Sequence, residues 1–202
     1  MKRIIFIRRF VTASAVTLIA SALTVYAASP EDAQSTTQQQ PSSTTSSGSI
    51  SNADRSFIIE AAQGGMAEVR MGELGQQKAT SAAVKALAKT LSDDHQKAND
   101  ELAAIAKAKG VELPSSMGST QQSTISSLED KQGQDFDREF VQTAIQDHKK
   151  DIAAFERASR ELTDPDLKAF AQKTLPVLRT HLQQAEQASK SLGMQKGSSS
   201  GW

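Results

Sequence analysis

The chain has 202 residues, no cysteine, and 23 Lys+Arg against 23 Asp+Glu. This length predicts one globular domain with appendages. The lack of cysteine excludes disulfides, a thiol nucleophile and lipid attachment through an N-terminal cysteine.

The N-terminus reads as an export leader. Lys2, Arg3, Arg8 and Arg9 precede a mostly apolar run, and Val25-Tyr26-Ala27 places small residues at the two cleavage positions. Cutting after Ala27 is expected, so residues 1–27 form a cleaved signal peptide. An uncleaved anchor is the competing reading, but Thr12, Ser14, Thr17, Ser21 and Thr24 weaken the run as a bilayer span. After cleavage no stable membrane span is expected. The remainder carries 19 Lys+Arg against 23 Asp+Glu, a balance that argues against nucleic-acid binding, which needs basic surface. Residues 28–52, rich in Ser, Thr and Gln, hold too few apolar side chains to fold and are expected to form a disordered linker.

From 53 to 193 the pattern predicts an all-α domain. The first helix starts near Ser51-Asn52, with Asp54 completing a capping-box-like arrangement. Its core face is read as Phe57, Ala61, Gly64, Glu68 and Met71, and it ends among Gly75–Ala79. The second opens at Thr80-Ser81 and runs to Gly110. A weak helix near 119–131 follows, anchored by Ile125 and Leu128 and ended by Gly133. The third long helix spans about 135–162. Thr163-Asp164-Pro165 starts the fourth, which runs to Leu192-Gly193 with a kink expected at Pro176. Residues 194–202 read as a disordered tail. Four apolar stripes bury one another in a four-helix bundle, and one long crossover holding a short helix is ferritin-like connectivity.

Polar residues stand inside those stripes. Ala88, His95 and Leu102 recur at sevens, as do Val141, His148 and Phe155. His181 lies three residues after Leu178, and Glu68 occupies the stripe of the first helix. Each lies about 13–16 residues from its helix start, so all four fall near mid-bundle. Buried imidazoles and carboxylates must be hydrogen-bonded, neutralised or metal-bound. The candidate metal ligands are therefore Glu68, His95, His148 and His181, with Asp151 as a fifth ligand or orienting partner. One transition-metal ion, Zn, Fe, Mn or Cu, suits that set. Asp94 and Asp147 point about 100° away from their histidines and read as rim residues. On sequence alone the plainer alternative, a polar network that fixes helix register, is preferred; the shared level is what raises the metal reading.

The segments "ADRSFIIEAAQGGMAEVRMGELGQQKA", "VKALAKTLSDDHQKANDELAAIAKAKGVELP", "FDREFVQTAIQDHKKDIAAFERAS" and "DPDLKAFAQKTLPVLRTHLQQA" resemble the exported bacterial family called domain of unknown function 4142, regarded as ferritin-like. The resemblance covers about 52–192, including the Asp-His pair of the second helix and Leu-Pro-x-Leu-x-x-His of the last. It implies a periplasmic or otherwise exported helical bundle and no settled activity. The chain lacks the Glu-x-x-His of two-iron enzymes; its nearest spacing is His148-x-x-Asp151. That departure points to a single-metal site, or none. "VKALAKTL" and "LKAFAQKTL" are also faint internal echoes.

The expectation from sequence is an exported bundle without catalytic residues, envelope- or stress-associated, with an envelope protein partner or as a homo-oligomer. The alternative is a metal-binding or metal-dependent redox protein. A third reading is an adhesive or matrix protein using the Ser/Thr/Gln segment.

Overall fold

In the computed structural model the described residues are 50–194. The leader, all but the end of the linker, and the tail beyond 194 lie outside them. Five helices and no strand are present among the described residues: α1 (Asn52–Lys78), α2 (Ala82–Ala108), α3 (Ser119–Glu129), α4 (Gly133–Glu161) and α5 (Pro165–Ser191). None is long and apolar enough to cross a membrane.

Local chemistry sets the helix ends. The Ser51 hydroxyl caps α1 by accepting from the Asp54 N–H at 3.1 Å. Asp164 caps α5 by accepting from Asp166 N–H at 3.0 Å and Leu167 N–H at 3.1 Å, with Pro165 as the first helical residue. Gly133 does not terminate the short helix, which ends at Glu129. It opens α4 instead, at φ +58°, a conformation that suits a residue without a side chain. Pro176 sits on the exposed side of α5, and the helix runs through it from Pro165 to Ser191.

Two buried aspartates hold the helix pairs in register. Asp54 at the start of α1 accepts from the Thr163 N–H at 3.0 Å, the Thr163 hydroxyl at 2.5 Å and the Asp164 N–H at 3.4 Å. Asp137 at the start of α4 accepts from the Thr80 N–H at 3.0 Å, the Thr80 hydroxyl at 2.5 Å and the Ser81 N–H at 2.9 Å. Each acid thus captures the turn of the opposite hairpin. The sequences at the two clamps repeat: Asp54-Arg55-Ser56-Phe57 matches Asp137-Arg138-Glu139-Phe140, and Thr80 matches Thr163 at the same offset. These contacts make α1 and α4 antiparallel. Lys109, just after α2, pairs with Asp164 and Asp166 at the start of α5, at 2.7 and 2.6 Å, so α2 and α5 are antiparallel too. The two hairpins therefore run up-down and down-up, joined by the 109–132 crossover that carries α3.

The core is divided. One apolar cluster, around Leu87, Leu91, Phe136, Phe140 and Ala185, fills the Asp137 end. Another, around Ile58, Leu102, Leu167 and Phe170, fills the Asp54 end. The histidine positions fall in the layer between. The inward face of α1 is turned by about one residue from that expected: Ile58, Ala62 and Gly65 are buried, while Phe57, Ala61 and Gly64 are half-buried. Glycine contact with α2 explains the turn. A Cβ on Gly72 would lie 2.6 Å from the Ala88 carbonyl oxygen and 2.8 Å from the Ser92 nitrogen, whereas one on Gly64 would meet nothing within 4 Å.

Asp137→Ala is expected to lower the free energy of unfolding by about 2–4 kcal/mol, because it removes a buried carboxylate that accepts three hydrogen bonds from the Thr80–Ser81 turn. Gly72→Ala should cost about 1–3 kcal/mol through backbone overlap, while Gly64→Ala should stabilise by about 0.5–1 kcal/mol. Urea unfolding of the three variants checks the signs and the order.

Candidate metal centre

Three helices each bring one imidazole to the middle layer: His95 from α2, His148 from α4 and His181 from α5. All are buried, at 8%, 0% and 1% exposure. Their ring centroids form a nearly equilateral triangle with sides of 5.6 Å (His95–His148), 5.3 Å (His95–His181) and 5.2 Å (His148–His181). One ring nitrogen from each lies within 4.8 Å of the others. The cluster could hold a metal ion.

The hydrogen bonds around the triangle decide which nitrogens are bare. His148 Nδ1 lies 2.9 Å from the Ala144 carbonyl oxygen, an acceptor only, so Nδ1 carries the hydrogen. His181 Nε2 lies 3.2 Å from Asp94 Oδ2. Burial pulls the Asp94 carboxyl upward, but hydrogen bonds from Lys97 and His181 outweigh it and hold the group below its usual range. Asp94 is therefore an acceptor, and His181 Nε2 carries the hydrogen. A neutral imidazole has one N–H. The remaining nitrogens, His148 Nε2 and His181 Nδ1, consequently face each other 3.2 Å apart with lone pairs and no proton between them. His95 Nε2 is a third buried nitrogen without a hydrogen-bond partner.

Such a contact is relieved by an added proton or by a cation. Burial opposes the proton. Desolvation, together with the neighbouring His148 and His181, lowers His95 to about 3. Desolvation and His181 lower His148 to about 4. Desolvation also lowers His181, against the pull of Asp94.

The acids expected at this level are placed differently from the imidazoles. Glu68 is buried, and its Oε1 lies 3.8 Å from His148 Nδ1, on the side of that ring turned away from the bare nitrogens. Its other oxygen has no partner. Asp151 lines a cavity of about 70 Å³ with Glu68 and Asp147. Among the described residues, His95, His148 and His181 alone make a tightly converging group; Glu68 and Asp151 are outside it. Burial, then repulsion from Asp151 and Asp147, raises Glu68 well above the carboxylate range. Burial and Asp147 push Asp151 up to about 6. Burial also raises Asp147.

Asp94 is more than a rim residue. Its side chain is 32% exposed, but it reaches His181 across the α2–α5 contact. The 100° offset from His95 directs it away from the bundle axis and toward the next helix. The adjacent Asp-His pair was the available sequence signal. The Ala144 carbonyl had none, since any residue four before His148 would supply it.

An all-α bundle with a buried, three-imidazole cluster is the class that fold and site define. A family model described as "Domain of unknown function (DUF4142)" matches residues 39–188, and the chain belongs to that family. A search of curated proteins found no match. Among solved structures, the crystal structure of a DUF305 fragment from Deinococcus radiodurans is similar, with a TM-score of 0.63 at 12% identity; the match covers 72% of this chain and 99% of that one. At that identity the likeness is one of fold.

The imidazoles give the metal-free protein a defined pH response. Unfolded, each histidine gains a proton near pH 6.5, whereas folded His148 stays neutral to about 4. The unfolded state then binds more protons, so the stability these rings contribute is full above pH 6.5 and lost as pH falls toward 4. Raised Asp151 acts oppositely: its contribution is present below the unfolded carboxyl value and lost as pH rises through about 6. Comparing wild type with His148→Leu isolates the ring. The wild-type urea midpoint should fall relative to that of the variant between pH 7 and pH 4. A difference that stays constant across this range would contradict a buried neutral imidazole.

Proposed function

We propose that this protein binds one transition-metal ion through His95, His148 and His181, in an exported bundle of ferritin-like connectivity. The bare His148 Nε2 and His181 Nδ1, 3.2 Å apart, carry the reading. Two neutral nitrogens held lone pair to lone pair are unfavourable alone and become favourable with a cation between them. A tetrahedral ion with metal–nitrogen distances near 2.05 Å needs ligand nitrogens about 3.3 Å apart, and this pair is already at that spacing. His95 supplies the third donor. The outward hydrogen bonds to the Ala144 carbonyl and Asp94 fix the tautomers that ligation requires.

Three imidazoles with no thiolate suit Zn²⁺, Cu²⁺ or Fe²⁺, with Cu²⁺ bound more tightly than Zn²⁺. The ion would tie α2, α4 and α5 together across the layer where the apolar core is interrupted. The up-down-down-up order and single crossover support the ferritin-like reading, and the basic-apolar leader supports export to the periplasm. No nucleophile or substrate cleft is needed for this role, so the protein is read as a metal-binding envelope component and not as an enzyme.

The purified chain, loaded with Zn²⁺ or Cu²⁺ and dialysed, should retain about one equivalent by elemental analysis. His148→Ala and His95→Ala should lose it, and Asp94→Asn should weaken affinity by about 10–100-fold. Retention by His148→Ala equal to wild type, or no retention at all, would overturn the proposal.

A further inference from the structure

The imidazole cluster leaves a second group of buried acids unexplained. Glu68 is 4% exposed, and its Oε2 has neither a hydrogen-bond partner nor access to solvent. The residue lines the 70 Å³ cavity between α1, α4 and α3. Asp147 and Asp151, both half-buried, line the same cavity from α4. Among the described residues, neither of these two accepts a hydrogen bond from a protein donor or pairs with a cationic side chain within 4.0 Å. Lys150 is the one basic residue in the wall, and it forms no such pair. Three carboxyl groups thus share a small, partly open cavity in which no protein donor is bonded to Asp147, Asp151 or the Oε2 of Glu68. Desolvation and mutual repulsion make the ionised state of these acids costly unless a proton or a cation enters.

We propose that this cavity is a second cation site, taking a hard divalent ion of the Mg²⁺ type. Its wall presents the three carboxylates with Gln121, Thr120 and Thr124 from α3, beside the Lys150 ammonium and the Met71 thioether, so oxygen dominates the donor set. Oxygen sets of this kind select Mg²⁺, Ca²⁺ or Mn²⁺ over the metals that prefer imidazole. The acids are spaced more widely than the histidine nitrogens, which alone converge within 4.8 Å among the described residues. An ion here keeps part of its water shell, as Mg²⁺ does readily. The cavity has room for several ordered waters, so an ion bound directly to Glu68 and through water to the aspartates fits. The unpaired Oε2 of Glu68 is the ligand that the ion would satisfy. Helix α3, anchored by Ile125 and Leu128, forms one wall of the site, which gives the crossover helix a role beyond covering the core.

The two centres differ in donor chemistry and are tested with different ions, so failure of one leaves the other standing. Mn²⁺ is the probe, added alone to the full chain and followed by electron paramagnetic resonance. The expected result is one bound Mn²⁺ per chain that Mg²⁺ displaces. Its affinity should fall at least tenfold in Glu68→Gln and in Asp151→Asn, and stay within twofold in Asp100→Asn, an exposed control on α2. Both site variants are near-isosteric, and far-ultraviolet circular dichroism verifies their folding; either one alone suffices for the comparison. Absence of a Mg²⁺-displaceable Mn²⁺, or unchanged affinity in a folded site variant, would overturn the assignment.

Discussion

The reciprocal clamp between hairpins is the constraint on which the structure depends. Asp54 and Asp137 each sit at a helix start and take hydrogen bonds from the turn of the other hairpin. Apolar side chains alone allow helices to slide by a turn with little change in buried area, because Ala and Leu stripes repeat. Fixed donors and acceptors do not allow it. With both ends pinned, the central layer has one register, and three rings from three helices meet there. The burial that makes Asp54 costly is met by hydrogen bonds from Thr163 and Ser51, which hold its carboxyl below its usual range against desolvation.

The central layer is stabilised differently. Where Leu or Phe would join the two apolar clusters, the chain places imidazoles and a carboxylic acid. A core built for stability alone would avoid this, since polar groups in low dielectric contribute little unless fully satisfied. The Ala144 carbonyl and Asp94 satisfy the outer edges of two rings. The inner edges are left bare and face one another. That asymmetry distinguishes the cluster from a closed network of hydrogen bonds and is what supports the proposed metal role.

Much of this was legible in the sequence. Apolar spacing placed His95, His148 and His181 inside, and counting from helix starts put them at one height. Capping residues at Ser51, Thr163-Asp164 and Pro165 located helix ends closely. Other features depend on contacts that periodicity does not encode. The inward face of α1 is turned because Gly65, Gly72 and Gly75 let α2 approach, and glycine has no hydrophobic signal. Asp94 looks peripheral from its angle to the bundle axis, but its partner His181 lies on a flanking helix. Glu68 is at the right height but beside the wrong edge of His148, a difference of a few ångströms set by side-chain direction. The capping acid Asp54 was found as a local feature; its reach to Thr163, 109 residues away, is a property of the fold.

The matched clamps also say something about how such a chain can be divided. Each hairpin offers one acid and one threonine turn, the complement of what the other offers, so a free hairpin carries both halves of a self-complementary contact. Two copies of one hairpin would regenerate both clamps about a twofold axis, and the present chain is the covalently joined counterpart of that arrangement. Joining releases the halves from identity. Gly65 stands where its counterpart is His148, and Glu68 where its counterpart is Asp151. A layer that symmetry would have forced to hold equal groups can therefore hold unequal ones, with the imidazoles gathered on one side and the acids on the other.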